Sequence, residues 1–145
     1  MNRVVHFEVH ASDPERVAAL YRDVFGWRIQ EWIIPGVEVP TENRYWLVTT
    51  GAEPSAGING GMVVRRGAAP TDGQAVNAFV CTVGVASVDA SVQQVLAAGG
   101  TVAVPKMPIK GIGWLAYCKD PAGNLFGVMA DDTTALAAAG TRVSP

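Results

Sequence analysis

Three ionisable side chains stand at alternate positions near the start of the chain: His6, Glu8 and His10. They belong to the run Val4-Val5-His6-Phe7-Glu8-Val9-His10, whose alternation of apolar and polar residues predicts a β-strand. Side chains alternate across a strand, so the three share one face, while Val5, Phe7 and Val9 take the other and belong beneath a helix. Imidazole and carboxylate groups held together in a half-enclosed space shift one another's pKa values and do general acid–base work. Glu8 is then the proton acceptor, with His6 assisting. As a metal site, His-x-Glu-x-His on one strand is poor geometry, because neighbours at i and i+2 stand about 6.5 Å apart. An inward carboxylate is costly unless paired or solvated, and an ion pair of Glu8 with His10 or an arginine accounts for it without any chemistry. His10 sits near the strand's end, where exposure to solvent is expected.

Aromatic residues form the second candidate set. Trp32, Tyr45, Trp46 and Trp114 all fall on strands expected to follow helices, and large flat side chains suit a planar or apolar ligand. Trp32, Trp46 and Trp114, with His10, are therefore expected to contact a bound molecule. Other motifs offer less. Cys81 and Cys118 lack CxxC spacing and read as small reduced core residues of a cytoplasmic protein, Cys81 lying beneath a helix. Lys106 to Gly113 reads as a Gly- and Pro-punctuated loop, a lid or a long connection. No helix follows it, so phosphate binding is not indicated. Asp120-Pro121-Ala122-Gly123-Asn124 has turn chemistry. No Ser-His-Asp or Cys-His arrangement is evident.

The elements that must position these residues occur twice. After the first strand, Ser12-Asp13-Pro14-Glu15 opens a helix by capping-box spacing or by Asp-Pro. Val17, Leu20, Val24 and Phe25 give it an apolar face, and Gly26 stops it. Phe79 to Val85 is a second such strand, Ser87-Val88-Asp89 opens a second helix with Val88, Val92, Val95 and Leu96 as its stripe, and Gly99-Gly100 ends it. One offset of 74 aligns the two stretches without a gap, pairing His6 with Val80 and Gly26 with Gly100. Three short strands follow each helix, at Trp27 to Ile33, Arg44 to Thr50 and Ile58 to Arg65, then at Thr101 to Val104, Gly113 to Cys118 and Leu125 to Ala130. The expected fold is α+β: two tandem β-α-β-β-β modules, 4–66 and 78–131, joined by a linker at 67–77. They form an open, curved eight-stranded sheet around a cleft, with helices outside. The whole is a single domain, 1–131, and the tail 132–145 is Ala-rich and then polar.

Composition narrows the function classes. The chain has 145 residues, 49 % hydrophobic and 17 % charged, with eleven Lys and Arg against thirteen Asp and Glu. That is one domain's worth of core. A net charge of −2, with no basic stretch longer than Arg65-Arg66, gives no footprint for nucleic acid. No run approaches the ~20 apolar residues of a spanning helix, and the N-terminal stretch breaks its apolar character too early for a secretory signal.

The runs "HFEVHASDPERVAALYRDVFGW" and "YCKDPAGNLFGVM", with "GINGGM" in the first half and "VPKMPIKGIGWLAYCKDPAGN" in the second, resemble the vicinal-oxygen-chelate superfamily. That group includes glyoxalase I, bleomycin-resistance proteins and extradiol dioxygenases, and the likeness spans roughly Val4 to Asp131. The resemblance implies a divalent metal held by four side chains, two from each half. His6 matches the ligand of the first strand. Its counterpart in the second half falls on Val80, the acidic ligand of the final strand falls on Gly127, and Ile58 to Arg65 contains no Asp, Glu or His. One imidazole does not hold a catalytic cation, which needs three or more protein ligands. No metal or other cofactor is therefore expected. What the resemblance implies is a small-molecule-binding, glyoxalase-like protein, a metal-independent lyase or isomerase, related to lactoylglutathione lyase, using Glu8 and His6. The alternative is a non-catalytic protein of the bleomycin-resistance type that sequesters its ligand, and a purely structural module ranks last. A homodimer is the expected assembly, with no nucleic-acid or membrane partner.

Overall fold

Strand β1 (Arg3–Ala11) runs into helix α1 (Pro14–Phe25), which Asp13 caps by accepting the backbone N–H of Arg16 at 3.1 Å. Of the two ways the sequence offers to open this helix, Asp-Pro is the one used. Gly26 ends it in the left-handed region at φ 69°, where its N–H reaches back to the carbonyl of Arg22. The chain continues through β2 (Arg28–Glu31), a 3-10 turn at Thr41–Asn43, β3 (Tyr45–Thr49) and β4 (Gly60–Val64). The second set is β5 (Val80–Gly84), α2 (Val88–Ala97), β6 (Thr101–Ile109), β7 (Gly113–Lys119) and β8 (Leu125–Asp131). The fold is α+β, an open mixed sheet of eight strands with two helices. The computed structural model describes residues 2–71, 73–75, 77–119 and 125–135, so the turn at 120–124 and most of the tail lie outside the described residues.

Residues 6–79 make one compact unit, and the chain from Val80 makes another together with its first five residues. In the first unit the strand order is β2-β3-β4-β1, with β4 parallel to β1 and the other pairs antiparallel. The register Val9–Met62–Trp46 and Phe7–Gly60–Val48–Ile29 collects one apolar face. Helix α1 lies over it: Trp46 donates from Nε1 to Glu15 Oε1 at 3.2 Å, and Arg22 donates to the Ile29 carbonyl at 2.7 Å. Of the expected face, Val17 is half-buried and the side chain of Val24 lies outside the described residues, but Leu20 and Phe25 do not pack. Ala18 is fully buried, whereas Leu20 and Phe25 are more than half exposed. A small residue at the point of contact lets the helix approach the sheet closely and turns the larger Leu20 aside. At its C-terminal end, Tyr21 stacks on Trp27 with centroids 5.0 Å apart, and Phe7 stacks on Phe79 at 5.3 Å.

In the second unit the order is β5-β8-β7-β6. Val88 of α2 packs on Ala116 and Val128, with Val92, Trp114 and Phe126 around them. Ile109, Leu115 and Tyr117 form a separate apolar cluster with Met107 and Met129. Strand β6 extends through Lys106–Ile109, so most of the expected Lys106–Gly113 loop is strand. Pro105 and Pro108 are accommodated because β6 pairs with β7 alone and its register shifts twice, between Val102 and Val104 and again before Met107. The offset of 74 persists in the caps: Ser87, the equivalent of Asp13, caps α2 by accepting the N–H of Ala90. Cys118 is buried and Cys81 half-buried, both as free thiols.

Candidate functional site

The alternation of β1 places Phe7 and Val9 on the helix side and His6, Glu8 and His10 on the other. Across the first unit this second face reads Glu8–Gly61–Leu47–Gln30 in one row and His10–Val63–Tyr45 in the next. Gly61 has no side chain, and the ring of Tyr45 lies where one would project: a Cβ built there would fall against its hydroxyl oxygen and Cζ. A glycine inside a strand thus marks a close approach. The phenol reaches across to β1, where its hydroxyl and His6 Nε2 share a hydrogen bond of 3.0 Å. Trp32 meets the Tyr45 ring edge-on at 6.0 Å and donates its backbone N–H to the Tyr45 carbonyl at 2.8 Å.

Glu8 shares this face but has no exposed surface at all, so it is covered there and cannot meet a ligand directly. His10 is half-buried rather than solvent-exposed as expected, and its Nε2 is a buried polar atom without a hydrogen-bond partner among the described residues. Burial lowers the pKa of this imidazole. The Glu8 carboxylate opposes that shift and the Arg65 guanidinium adds to it. Arg65 donates from Nη2 to the His10 carbonyl at 2.6 Å and from Nη1 to Asn77 Oδ1 at 3.1 Å. The excursion from β2 to β3 is closed at its base by Arg44, which grips Glu31 with two bonds of 2.6 and 2.5 Å. Those bonds hold the Glu31 carboxyl below its ordinary pKa.

Two of the tryptophans expected to contact a ligand stand elsewhere. Trp46 is buried on the helix face against α1, because it is in register with Met62 and Val9. Trp114 packs against the α2 cluster, donates from Nε1 to Asp132 at 3.0 Å and carries Lys106 Nζ 4.7 Å above its ring. Lys106 itself pairs with Asp89 at 2.6 Å. Of the expected set, His6, His10 and Trp32 remain with the polar face. Tyr45 joins them; its alternation with Trp46 was the available signal, since adjacent strand residues cannot share a face.

The metal set implied by resemblance does not fit these residues. The position of Gly127 is crowded: a Cβ there would lie 2.6 Å from Thr82 Oγ1. Register makes Gly61 its counterpart, since Gly127 pairs with Thr82 and Gly61 pairs with Glu8, the residue that the offset of 74 aligns with Thr82. Both places where an acidic ligand would start are glycines covered by a neighbour's hydroxyl. Val80, the counterpart of His6, is packed against an apolar cluster. Among the described residues no group of three or more His, Cys, Asp or Glu is placed to hold a metal ion.

A family model described as a glyoxalase-like domain matches residues 5–129. No curated protein matches the sequence. Among solved structures, the chain is similar to methylmalonyl-CoA epimerase from Mycobacterium tuberculosis at 14 % identity and a TM-score of 0.58, over 89 % of this chain and 87 % of that one. It is also similar to a hypothetical protein from Bacillus halodurans, at 13 % identity and a TM-score of 0.62, over 93 % and 98 % of the two chains. A 2,3-dioxygenase from a Pseudomonas species matches at 14 % identity and a TM-score of 0.57, over 92 % of this chain and 43 % of that one. At such identities the likeness is one of fold. No helix among the described residues is long and apolar enough to cross a membrane.

Proposed function

The chain belongs to the glyoxalase-like domain family of the vicinal-oxygen-chelate superfamily, and from that membership we propose that it binds a small molecule over the polar face of its first unit and moves a proton there without a metal. The observation that carries the reading is the buried Nε2 of His10, unpartnered among the described residues, in the same row as Tyr45, whose hydroxyl shares a hydrogen bond with His6. Leaving a buried polar atom unsatisfied costs about 1–3 kcal/mol, a cost a bound ligand's polar group would remove.

The roles follow from exposure. His6 and Trp32, both half-buried, meet the ligand, the indole supplying a flat apolar wall, and the buried Tyr45 orients His6 through their hydrogen bond. His6 takes up the proton from a carbon acid next to a carbonyl, a lyase or isomerase step. Glu8, wholly buried, is a positioning residue: its carboxylate favours the charged imidazole that this step creates. We propose that the protein acts as a homodimer in the cytoplasm. A second reading is favoured by the same burial of Glu8, which keeps the carboxylate from touching any ligand: a protein that only sequesters its ligand, as bleomycin-resistance proteins do.

Deuterium uptake separates the two. The protein is incubated in D2O with a panel of small carbonyl acids and thioesters, before and after chelation, and the products are weighed by mass spectrometry. The expected result is α-deuteration insensitive to chelation, lost in His6→Ala. In Glu8→Gln the acid limb of the pH–rate profile should move down with ligand-induced tryptophan quenching retained. Saturable quenching with no deuterium incorporated favours sequestration. A tightly held divalent ion that disappears in His6→Ala overturns metal independence.

A further inference from the structure

We infer that His10 and Arg65 form a subsite for the anionic group, a carboxylate or its like, of the molecule bound on the polar face. This rests on the binding reading above and adds the chemical class of the ligand. Arg65 follows Val63 on the same side of the chain as Gly61, at the end of β4, and its backbone N–H continues the ladder onto the Ala11 carbonyl at 2.9 Å. The guanidinium is therefore brought beside the end of β1. There it is held from behind, by the His10 carbonyl and by Asn77, through two of its five N–H donors.

Both of those acceptors are neutral. Among the described residues no carboxylate pairs with Arg65: the ion pairs join Arg22 to Glu15, Arg44 to Glu31 and Lys106 to Asp89. A half-buried guanidinium fixed by neutral acceptors, next to an imidazole nitrogen with no partner among those residues, supplies positive charge and unused donors in one place. That combination matches a planar, two-oxygen anion better than a neutral amide or alcohol. An anion set beside both groups would pair with the guanidinium and favour the charged form of the His10 imidazole, against the burial that lowers its pKa. The Glu8 carboxylate, fully buried on the same face of the strand, also favours that charged form, and Arg65 opposes it. The row of His10 ends on Tyr45 with the half-buried Trp32 against it, so the ligand body attached to the anion lies on the indole.

The test uses phenylacetate and phenylacetamide as paired probes, one charged and one neutral, of the same shape. Each is titrated into the uniformly labelled protein while the imidazole signals of His6 and His10 and the Trp32 indole signal are followed by NMR. Phenylacetate should shift His10 and bind roughly tenfold or more tightly than the amide, the size expected of a charge-assisted hydrogen bond. Arg65→Gln should erase that preference, and Arg65→Lys should keep part of it. Equal affinity of both probes, with Trp32 and His6 shifted, would sink the anion subsite and leave the binding reading standing. Shifts confined to other regions of the protein would sink both. Because the acid–amide comparison is made on the unaltered protein, a variant that folds poorly does not spoil it.

Discussion

Adding one methyl group at Gly61 should dislodge the phenol that meets His6. The backbone at Gly61 is not in the left-handed region, so alanine is conformationally acceptable there and would by itself stabilise by about 0.4–1 kcal/mol through the unfolded chain. Against this stands the Tyr45 ring, whose hydroxyl, Cζ and Cε2 all occupy the space of the new Cβ. Tyr45 is only 5 % exposed, so the ring cannot swing aside into water, and forcing an atom into such packing costs about 1–3 kcal/mol. Losing the bond to His6 adds about 0.5–1.5 kcal/mol. The net expectation for Gly61→Ala is a loss of roughly 2 kcal/mol, or about 4–8 °C in Tm for a chain of this length. Urea unfolding followed by tryptophan fluorescence measures it, in the native background and in Tyr45→Leu, which lacks the hydroxyl and the far end of the ring. On the Tyr45→Leu background the added methyl should be neutral or slightly stabilising, giving a coupling of about 2–3 kcal/mol. An equal penalty on both backgrounds would refute the argument, since the obstacle would then not be the phenol.

Two further outcomes follow from the same geometry. The depressed pKa of His10 means that the unfolded chain takes up a proton before the folded one does. Stability from this group is therefore complete above about pH 6.5 and is lost as pH falls from there toward the folded value. Urea midpoints measured from pH 8 to pH 5 should fall more steeply for the unaltered protein than for His10→Gln, and parallel curves would contradict the burial of the imidazole. Trp46→Phe should cost roughly 2 kcal/mol by opening a gap under α1 and removing the bond to Glu15, without altering ligand quenching from Trp32. A change in quenching with stability intact would return Trp46 to the binding face.

Much of the fold was legible because its signals are local. The alternation in β1, the Asp13-Pro14 start and the Gly26 stop each act within a few residues, and their recurrence at a fixed offset exposed the second copy. The three opening ionisable residues could be assigned to one face for the same reason. Which tryptophan belongs to that face could not be read so directly, because it depends on the register of β3 against β4, set by contacts between distant residues. Leu47 and Val48 show the difficulty: the two look alike in sequence, yet one is 47 % exposed and the other 2 %. The Gly60-Gly61 pair held a clue, since glycine within a strand implies something bulky lying across it. Nothing in the sequence distinguished Arg65 from Arg66. Only the geometry shows one turned back toward β1 and the other bonded to Asn43.

The matched registers of Glu8 with Gly61 and of Thr82 with Gly127 bear on how the two copies have diverged. Equivalent seats hold a carboxylate in one and a hydroxyl in the other, and the offset sets His10 against Gly84 as it sets His6 against Val80. Positions that carry ionisable groups in the first module are apolar or small in the second, so the two do not share the same duties. The later copy should accordingly tolerate conservative apolar exchange at Val80 and Met129, whereas the earlier one would not accept comparable liberties at His6 or Tyr45.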